Sequence, residues 1–318
     1  MKTQKLNLRL KTIALMMVAL VVFASCSKDE DENPAPMNPV ETEKNIVETA
    51  MADPQFSILV DAVSKAGLVD ALQAEGQMTV FAPTNDAFDA LFSALGVNGV
   101  DDLTAEQLSP ILLYHVIGAK VMAADVSTGY VPTLNTTAPD NNSVLLYAMA
   151  ENGVQLNAST NVILADVMAS NGVIHVIDKV LLPVDVVDIA IQNSNFSTLV
   201  EAVVKAGLVD ALKGDGPFTI FAPTNAAFEK LFMDLGVNGI SDLTAEQLTP
   251  ILLYHVVSGN VRAADVSSGM VPTLNPDAQI DIMVSEMGVK LNGTSNVIAT
   301  DVQGTNGVIH VIDTVILP

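Results

Sequence analysis

Apolar positions in this chain recur first with a helical period and then with a strand period. Between residues 56 and 63 they fall at i, i+3, i+4 and i+7, which predicts one amphipathic helix. Asp53 and Pro54 supply the predicted N-cap and first helical position, and Gly67 the predicted end. The run 79–82 then predicts a short strand.

Two more helices are predicted after that strand. Thr84 is a suitable N-cap for a helix whose apolar stripe runs from Phe88 to Leu95. Thr104, with Gln107 three residues later, has the spacing of a capping box and predicts the start of the next helix. The apolar stripe of that helix includes His115, so we expect this imidazole to point inward.

Beyond Gly118 the pattern changes to short β-rich segments separated by turn residues. The segments lie at Val121, 131–134, 144–149, 154–156, 162–167 and 173–182. The pairs Asn152-Gly153 and Asn171-Gly172 predict turns between them. Helices followed by strands, rather than alternating with them, predict an α+β fold with a mainly antiparallel sheet.

The whole pattern occurs twice in tandem. Thr79–Asn85 (TVFAPTN) returns as Thr219–Asn225 (TIFAPTN), an offset of 140 residues, and Asn171–His175 returns as Asn306–His310, an offset of 135. The period is too long for a solenoid repeat and indicates a duplicated domain. We predict a first domain over 40–183 and a second over 184–318.

The N-terminus has the pattern of an export signal. Four basic residues precede the apolar run Ile13–Ala24, which is too short to span a bilayer. The run closes in Phe23–Cys26 (FASC), which resembles the lipobox of bacterial lipoproteins. We predict a signal peptide over 1–25 and lipidation of Cys26; the alternative is a plain signal peptide with a coincidental cysteine.

The residues after Cys26 predict a tether. An acidic run is followed by three prolines within residues 34–39, a composition that cannot build a core. We therefore assign 26–39 to an acidic, proline-rich linker. Its acidic start also resembles the surface-export signal of some Gram-negative lipoproteins, and an ordinary solubilising linker is the alternative.

Charge and composition exclude several functions. The 318 residues carry 36 acidic and 14 basic side chains, a net charge of −22 that argues against nucleic-acid binding. One cysteine cannot form an intrachain disulfide, and four scattered histidines predict no metal site. Asp101-Asp102 and Asp140–Asn142 lack the loop that calcium coordination needs. No catalytic motif or cofactor fingerprint is present, so we expect neither an enzyme nor a cofactor.

Three boxes in each copy resemble the fasciclin-like domain family. The boxes are Thr79–Phe88 with Thr219–Phe228, Leu112–Val116 with Leu252–Val256, and Asn171–Asp178 with Asn306–Asp313. The resemblance covers about Val40 to Pro318. It implies a wedge-shaped β-sandwich flanked by helices in each domain, a role in adhesion or matrix binding, and no catalysis.

The resemblance also implies candidate binding residues. In animal members a Tyr-His pair and an Asp-Ile pair are implicated in cell binding, and here Val stands in place of Ile. The matching residues are Tyr114, His115, Asp166 and Val167 in the first copy, and Tyr254, His255, Asp301 and Val302 in the second.

The same motifs support a structural interpretation. A buried neutral imidazole needs hydrogen bonds at its ring nitrogens, so His115 is expected to tie its helix to Thr84, Asn85 or nearby backbone. His175, among aliphatic residues of a predicted strand, has the same expected role. The structural set is Thr84, Asn85 and His175, repeated as Thr224, Asn225 and His310.

Together these features predict a lipid-anchored envelope protein that binds through two fasciclin-like domains. Its partner would be a surface protein, matrix component or glycan, and the membrane would be reached through the lipid alone. We expect export to the cell envelope and placement in the outer membrane, facing either the periplasm or the exterior. The alternatives are a structural envelope protein and a glycan-binding accessory, although the lack of Trp disfavours sugar stacking.

Overall fold

The computed structural model describes residues 43–151 and 153–318. The predicted signal peptide, Cys26, the tether and Asn152 lie outside the described residues. The first domain contains helices α1 (Ile46–Met51), α2 (Ser57–Lys65), α3 (Val69–Gln73), α4 (Asn85–Leu95) and α5 (Ala105–Tyr114). Its strands are β1 (Met78–Pro83), β2 (Val116–Ile117), β3 (Gly129–Pro132), β4 (Leu145–Met149), β5 (Gln155–Leu156), β6 (Thr160–Ala169) and β7 (Gly172–Ile177).

The second domain repeats this order. Its helices are α6 (Val186–Gln192), α7 (Ser197–Lys205), α8 (Val209–Leu212), α9 (Asn225–Leu235) and α10 (Ala245–Tyr254). Its strands are β8 (Phe218–Pro223), β9 (Val256–Ser258), β10 (Gly269–Pro272), β11 (Gln279–Ser285), β12 (Gly288–Leu291), β13 (Ser295–Gly304) and β14 (Gly307–Ile312).

Helix ends follow the local sequence signals. The Asp53 carboxylate accepts from the Gln55 N–H ahead of α2, and Thr84 caps α4 by accepting from Ala87 N–H. Thr104 and Gln107 form the reciprocal capping box of α5. Gly67 lies just past α2 with φ +69°, in the left-handed region that favours glycine. The starts of α4 and α5 and the end of α2 are confirmed. The helix predicted from Pro54 instead begins with a 3₁₀ turn over Pro54–Phe56 and becomes α-helical at Ser57.

Each domain holds one seven-stranded sheet, with strand order β2-β1-β7-β6-β5-β4-β3 in the first and the same order in the second. Within each sheet one pairing is parallel, β1 with β7 and β8 with β14, and the other pairings are antiparallel. The α+β fold with a mainly antiparallel sheet flanked by helices, duplicated in tandem, is therefore confirmed. The parallel pair joins the first and last strands of each domain.

β6 is bent by an irregularity in its pairing with β7. Its pairing with β7 shifts register between Val162 and Leu164 and again between Leu164 and Val167. Asp166, inside the second shift, has φ +62°, a left-handed conformation that interrupts the extended strand. β6 pairs with β5 at Thr160 and Asn161, before this irregularity, and with β7 on both sides of it.

Two predicted strands differ from the structure. Val121 was expected in a strand but lies in the loop after β2, where its carbonyl accepts a hydrogen bond from His175. The predicted strand 173–182 is shorter in the structure, where β7 ends at Ile177 and the following residues lie outside the sheet. Leu181 in that segment is nevertheless buried, as is Val184 just beyond it, so the apolar run reflects packing rather than sheet extension.

The two domains meet through the connecting segment and three side-chain contacts, which we call the domain junction. The sheet core of the first domain and the helical core of the second form one buried cluster that includes Leu181 and Val184. Asn193 Nδ2 donates to the hydroxyl of Tyr130 at 3.2 Å. The polar contacts across the loops are Arg262 Nη1 to Asn142 Oδ1 at 2.6 Å and Asn260 Nδ2 to Asp140 Oδ2 at 3.4 Å.

Among the described residues, no helix combines the length and the apolar character that crossing a membrane requires.

Candidate functional site

The motif tyrosines lie in the buried core of each domain. Tyr114, the last residue of α5, is fully buried; its hydroxyl donates to the Leu145 carbonyl at 3.0 Å and accepts from Asn157 Nδ2 at 3.1 Å. Burial raises the pKa of this phenol well above its usual value of 10. Tyr254 repeats both contacts in the second domain, with the Gln279 carbonyl and Asn292 Nδ2 each at 2.9 Å.

The adjacent histidine joins α5 to the segment that follows the sheet. His115 Nδ1 lies 2.8 Å from the Ile111 carbonyl, and its Nε2 accepts from Leu181 N–H at 2.9 Å. These partners assign the proton to Nδ1. Burial lowers the pKa of His115 to about 4, against the opposing effect of the bond to Ile111. His255 makes the same contacts in the second domain, and burial lowers its pKa to about 4 as well.

His115 thus has the expected structural role. Of the partners expected for it, Thr84, Asn85 or nearby backbone, it bonds only to backbone. Both of its contacts are to backbone, and neither Thr84 nor Asn85 bonds to it. Asn85 instead connects α4 to the start of α2, accepting from Ile58 N–H and donating to the Pro54 carbonyl. Its counterpart Asn225 makes the equivalent contacts with Thr198 and Ser194, and Thr224 caps its helix as Thr84 does.

The third-box histidine holds the bend in β6. His175 Nε2 lies 2.9 Å from the Val121 carbonyl, and its Nδ1 accepts from Asp166 N–H at 3.2 Å. His310 copies this with the Val261 carbonyl at 2.8 Å and Asp301 N–H at 3.4 Å. The left-handed turn at Asp166 is therefore held from inside the sheet by a buried imidazole.

The candidate aspartates Asp166 and Asp301 lie at the bends of β6 and β13, where the sheet surface is partly exposed; we call this region of each domain the rim. Asp166 Oδ1 accepts from Ala123 N–H at 2.9 Å, and 37% of its side chain is exposed. Val167 beside it is half-buried. Asp301 has the same backbone conformation and accepts from Ala263 N–H at 2.8 Å, but Arg262 Nη2 lies 3.5 Å from its second oxygen. Val302, the counterpart of Val167, is buried.

The structure therefore divides the candidate binding residues into two groups. The Tyr-His pairs are at most 3% exposed in both domains, so a partner cannot touch them while the domain is folded. Asp166 remains accessible, and Asp301 lies beside Arg262. A binding role for any of these residues stays a prediction.

Sequence reasoning missed the residues Asn157 and Asn292 and, for Asn171 and Asn306 of the third box, the contacts by which they organise this region. Asn157 and Asn292 orient the tyrosine hydroxyls. Asn171 and Asn306 tie each sheet to the first helix of its domain, since their Oδ1 atoms accept from Ile46 N–H and Val186 N–H. Repetition of these asparagines at an offset of 135 was a signal that could have identified them. Arg262 has no such signal, because Met122 occupies its position in the first copy.

Within residues 43–151 and 153–318, no group of three or more His, Cys, Asp or Glu side chains is arranged to hold a metal ion. The Asp102 carboxylate accepts from the backbone and side-chain nitrogens of Asn98, and these bonds lower its pKa.

Two tandem α+β domains, each held together from within by the same motif side chains, define the class of this protein. The chain belongs to the fasciclin domain family, whose model matches residues 54–183 and 194–318. Fasciclin domains occur in adhesion and matrix-binding proteins, and the homologues are mostly secreted or surface proteins and generally non-enzymatic.

Similar proteins occur in bacteria and animals. The chain is 47% identical to protein sll1483 of Synechocystis sp. over 133 residues, which are 42% of this chain and 73% of that protein. It is 30% identical to human periostin over 254 residues, 79% of this chain and 29% of periostin. It is also 30% identical to transforming growth factor-beta-induced protein ig-h3 of Sus scrofa over 249 residues, 78% of this chain and 35% of that protein. The chain thus spans about a third of the length of each animal relative.

A solved FAS1 domain pair from the insect cell adhesion molecule fasciclin I is similar in structure. The TM-score is 0.46 at 22% sequence identity, and the match covers 86% of this chain and 96% of that chain.

Proposed function

We propose that this chain is an exported, lipid-anchored envelope protein that binds a surface or matrix protein through its two fasciclin domains, without catalysis. The observation that carries the non-catalytic assignment is the state of the four histidines. Each has both ring nitrogens engaged by backbone groups, so none is available as an acid, base or metal ligand. The exposed surface of the domains, including the region around Asp166, is therefore the part that can recognise a partner.

A protein ligand is favoured over a glycan by the positions of two tyrosines. Tyr130 and Tyr147 are the tyrosines outside the motifs, and their ring centroids lie 4.8 Å apart. Tyr130 bonds to Asn193 at the domain junction, and Tyr147 is buried. Neither ring is free as a platform for sugar stacking.

Binding is tested with the whole purified chain on an array of surface and matrix proteins and on a glycan array. We expect saturable binding to protein spots and none to glycans. Protease treatment of intact cells is the companion measurement, and we expect cleavage within the two domains. Binding to glycans alone would contradict the protein ligand, and protection from protease would favour the structural envelope role.

The lipid anchor is supported by the basic start, the short apolar run and the position of the single cysteine. Cys26→Ala should move the chain from the membrane fraction to the soluble fraction and remove the acyl mass. Ser27→Ala is the matched control and should remain in the membrane fraction. Membrane retention of the Cys26→Ala chain would contradict lipidation at this residue.

A further inference from the structure

A cavity of about 220 Å³ lies inside the first domain, on the side of β4 that carries Leu146 and Ala148. Residues of β1, of β3 and of the loop that follows β2 complete its lining. Successive side chains of a strand point to opposite faces, so Tyr147, between Leu146 and Ala148, lies on the other side of the sheet. We call this space the β4 cavity.

The β4 cavity has a buried apolar floor and an open mouth. Phe81, Ile117 and Leu156 at its floor are at most 6% exposed. Asp125 and Ser127, which also line the cavity, are exposed and mark its mouth. A molecule in this space would bury an apolar body while one end stays in contact with water.

The polar atoms of the floor already have partners, whereas the mouth carries a carboxylate. Thr79 Oγ1 donates to the Ala119 carbonyl at 2.7 Å and accepts from Val121 N–H at 2.9 Å. Both ring nitrogens of His175 are engaged by backbone groups. Asp125 is the one carboxylate among the residues that line the cavity. Apolar contact at the floor and negative charge at the mouth are therefore the features that select a ligand.

One residue of the lining differs greatly in size between the two domains. Ala148 pairs with Gly129, and Ile282 pairs with Gly269, so Ile282 is the counterpart of Ala148. The side chain of Ile282 is 6% exposed and lies in the buried cluster of the second sheet that also contains Leu291. In the second domain an isoleucine therefore occupies space that an alanine leaves open in the first.

The rest of the lining is nearly the same in both domains. Ile280 stands in place of Leu146 without a change in size. Val257 is one carbon smaller than its counterpart Ile117, which offsets only part of the volume that Ile282 adds. The other lining residues are identical in the two domains. The size of the side chain at position 148 therefore decides which domain has room for a ligand.

We propose that the first domain binds a small cationic amphiphile in the β4 cavity, with an apolar body at the floor and a primary ammonium group beside Asp125. An apolar cavity of about 150 Å³ holds benzene, so the β4 cavity has room for a phenyl ring that carries a short side chain. The Asp125 carboxylate attracts the ammonium group, and the Ser127 hydroxyl is an acceptor for one of its hydrogens. The net charge of −22 also raises the concentration of cations near the protein surface.

Binding is tested by adding 2-phenylethylamine to the whole purified chain and following the methyl resonances by NMR. We expect saturable shifts at Leu146 and Ala148 of the first domain, whereas Ile280 and Ile282 of the second should not shift. The neutral probe 2-phenylethanol has the same ring and chain length without the charge. It should bind about threefold more weakly, because an exposed ion pair contributes little.

Two pairs of variants separate the effect of shape from that of charge. Ala148→Ile gives the first domain the residue of the second and should lower the affinity by about tenfold or more, whereas Ile282→Ala should produce shifts in the second domain. Asp125→Asn should weaken binding of the amine by about threefold and leave binding of the alcohol unchanged. Asp265→Asn is the matched control, because it removes the equivalent carboxylate from the domain that has isoleucine in place of Ala148, and it should change neither.

Circular dichroism establishes that each variant is folded. Undiminished binding by a folded Ala148→Ile chain, equal shifts in both domains of the parent chain, or no shift at millimolar amine would overturn the proposal. An amine that binds no more tightly than the alcohol would overturn the role of Asp125. If the Ala148→Ile chain does not fold, Ile282→Ala decides the question, since the absence of new shifts in its second domain would contradict the dependence on this position.

Discussion

The bends in β6 and β13 have the same backbone conformation but different neighbouring side chains. Asp166 and Asp301 have φ values of 62° and 61°, and each backbone N–H donates to a buried histidine. Arg262 neutralises Asp301 and reaches across the junction, whereas Met122 at the equivalent position leaves Asp166 without an arginine. Duplication has therefore kept the internal scaffold and changed the rim, so recognition is expected to differ between the domains.

The largest expected effect tests the shared scaffold. A Cβ at Gly172 would collide with the Met78 carbonyl oxygen, and one at Gly307 with that of Phe218, in the parallel strand pair of each domain. Gly172→Ala and Gly307→Ala should each reduce the free energy of unfolding by ~4 kcal/mol, measured by urea denaturation. Gly99→Ala has open space around its Cβ and serves as the control. A much smaller loss in one domain would show that the two scaffolds are not equivalent.

The next prediction concerns pH. The ordinary histidine pKa of 6.5 applies in the unfolded chain, whereas burial lowers the pKa of His115 and His255 to about 4. The unfolded chain therefore binds more protons, and the free energy of unfolding should fall as pH drops from 6.5 to 4. The loss is on the order of 3 kcal/mol for each histidine. Above pH 6.5 both states are neutral at these groups and the contribution is constant.

Urea midpoints across this pH range provide the measurement. The His115→Gln and His255→Gln double variant should be less stable at pH 7, because two backbone groups in each domain lose partners. Its stability should nevertheless depend less on pH than that of the parent chain. An unchanged slope would mean that other groups cause the acid sensitivity. The lowered pKa values of Asp102 and Asp242 give stability that is lost only as pH falls through their ordinary value of 3.8, at the acid end of this range.

A smaller loss of stability is expected when Arg262 in the second domain is replaced by the residue that the first domain has at this position. Arg262→Met gives that position the residue of its counterpart and removes the contacts with Asn142 and Asp301. We expect a loss of ~1 kcal/mol, because the arginine is partly exposed. Calorimetry should show the two domains unfolding at more widely separated temperatures. The reciprocal Met122→Arg should change little, and a single sharp transition in Arg262→Met would show that the buried core alone couples the domains.

The smallest stability effect should accompany the largest change in recognition. Asp166→Asn keeps an oxygen that accepts from Ala123 N–H and a residue type that tolerates the left-handed conformation. The melting temperature should change by less than the equivalent of ~0.5 kcal/mol, while binding to the protein array should weaken. Asp301→Asn is the matched control, since its charge is already shared with Arg262. Equal loss of binding in both variants would mean that the domains recognise the ligand alike.

Most features that could be predicted from the sequence depend on residues that lie close together in the chain. The caps at Thr84 and Thr104 depend on residues three positions away, so both could be predicted. The β1–β7 pairing could not, because Met78 and Gly172 are brought together only by the complete fold. The same limit applies to the site. The inward orientation of His115 followed from helical periodicity, whereas its bond to Leu181 and the contact between Tyr114 and Asn157 are long-range.

The parallel pairing of the first and last strands also has a kinetic consequence. β1 finds its place beside β7 only after the intervening helices and strands have been synthesised, so each sheet closes late and with a large loss of chain entropy. Folding of such a module should be slow for its size.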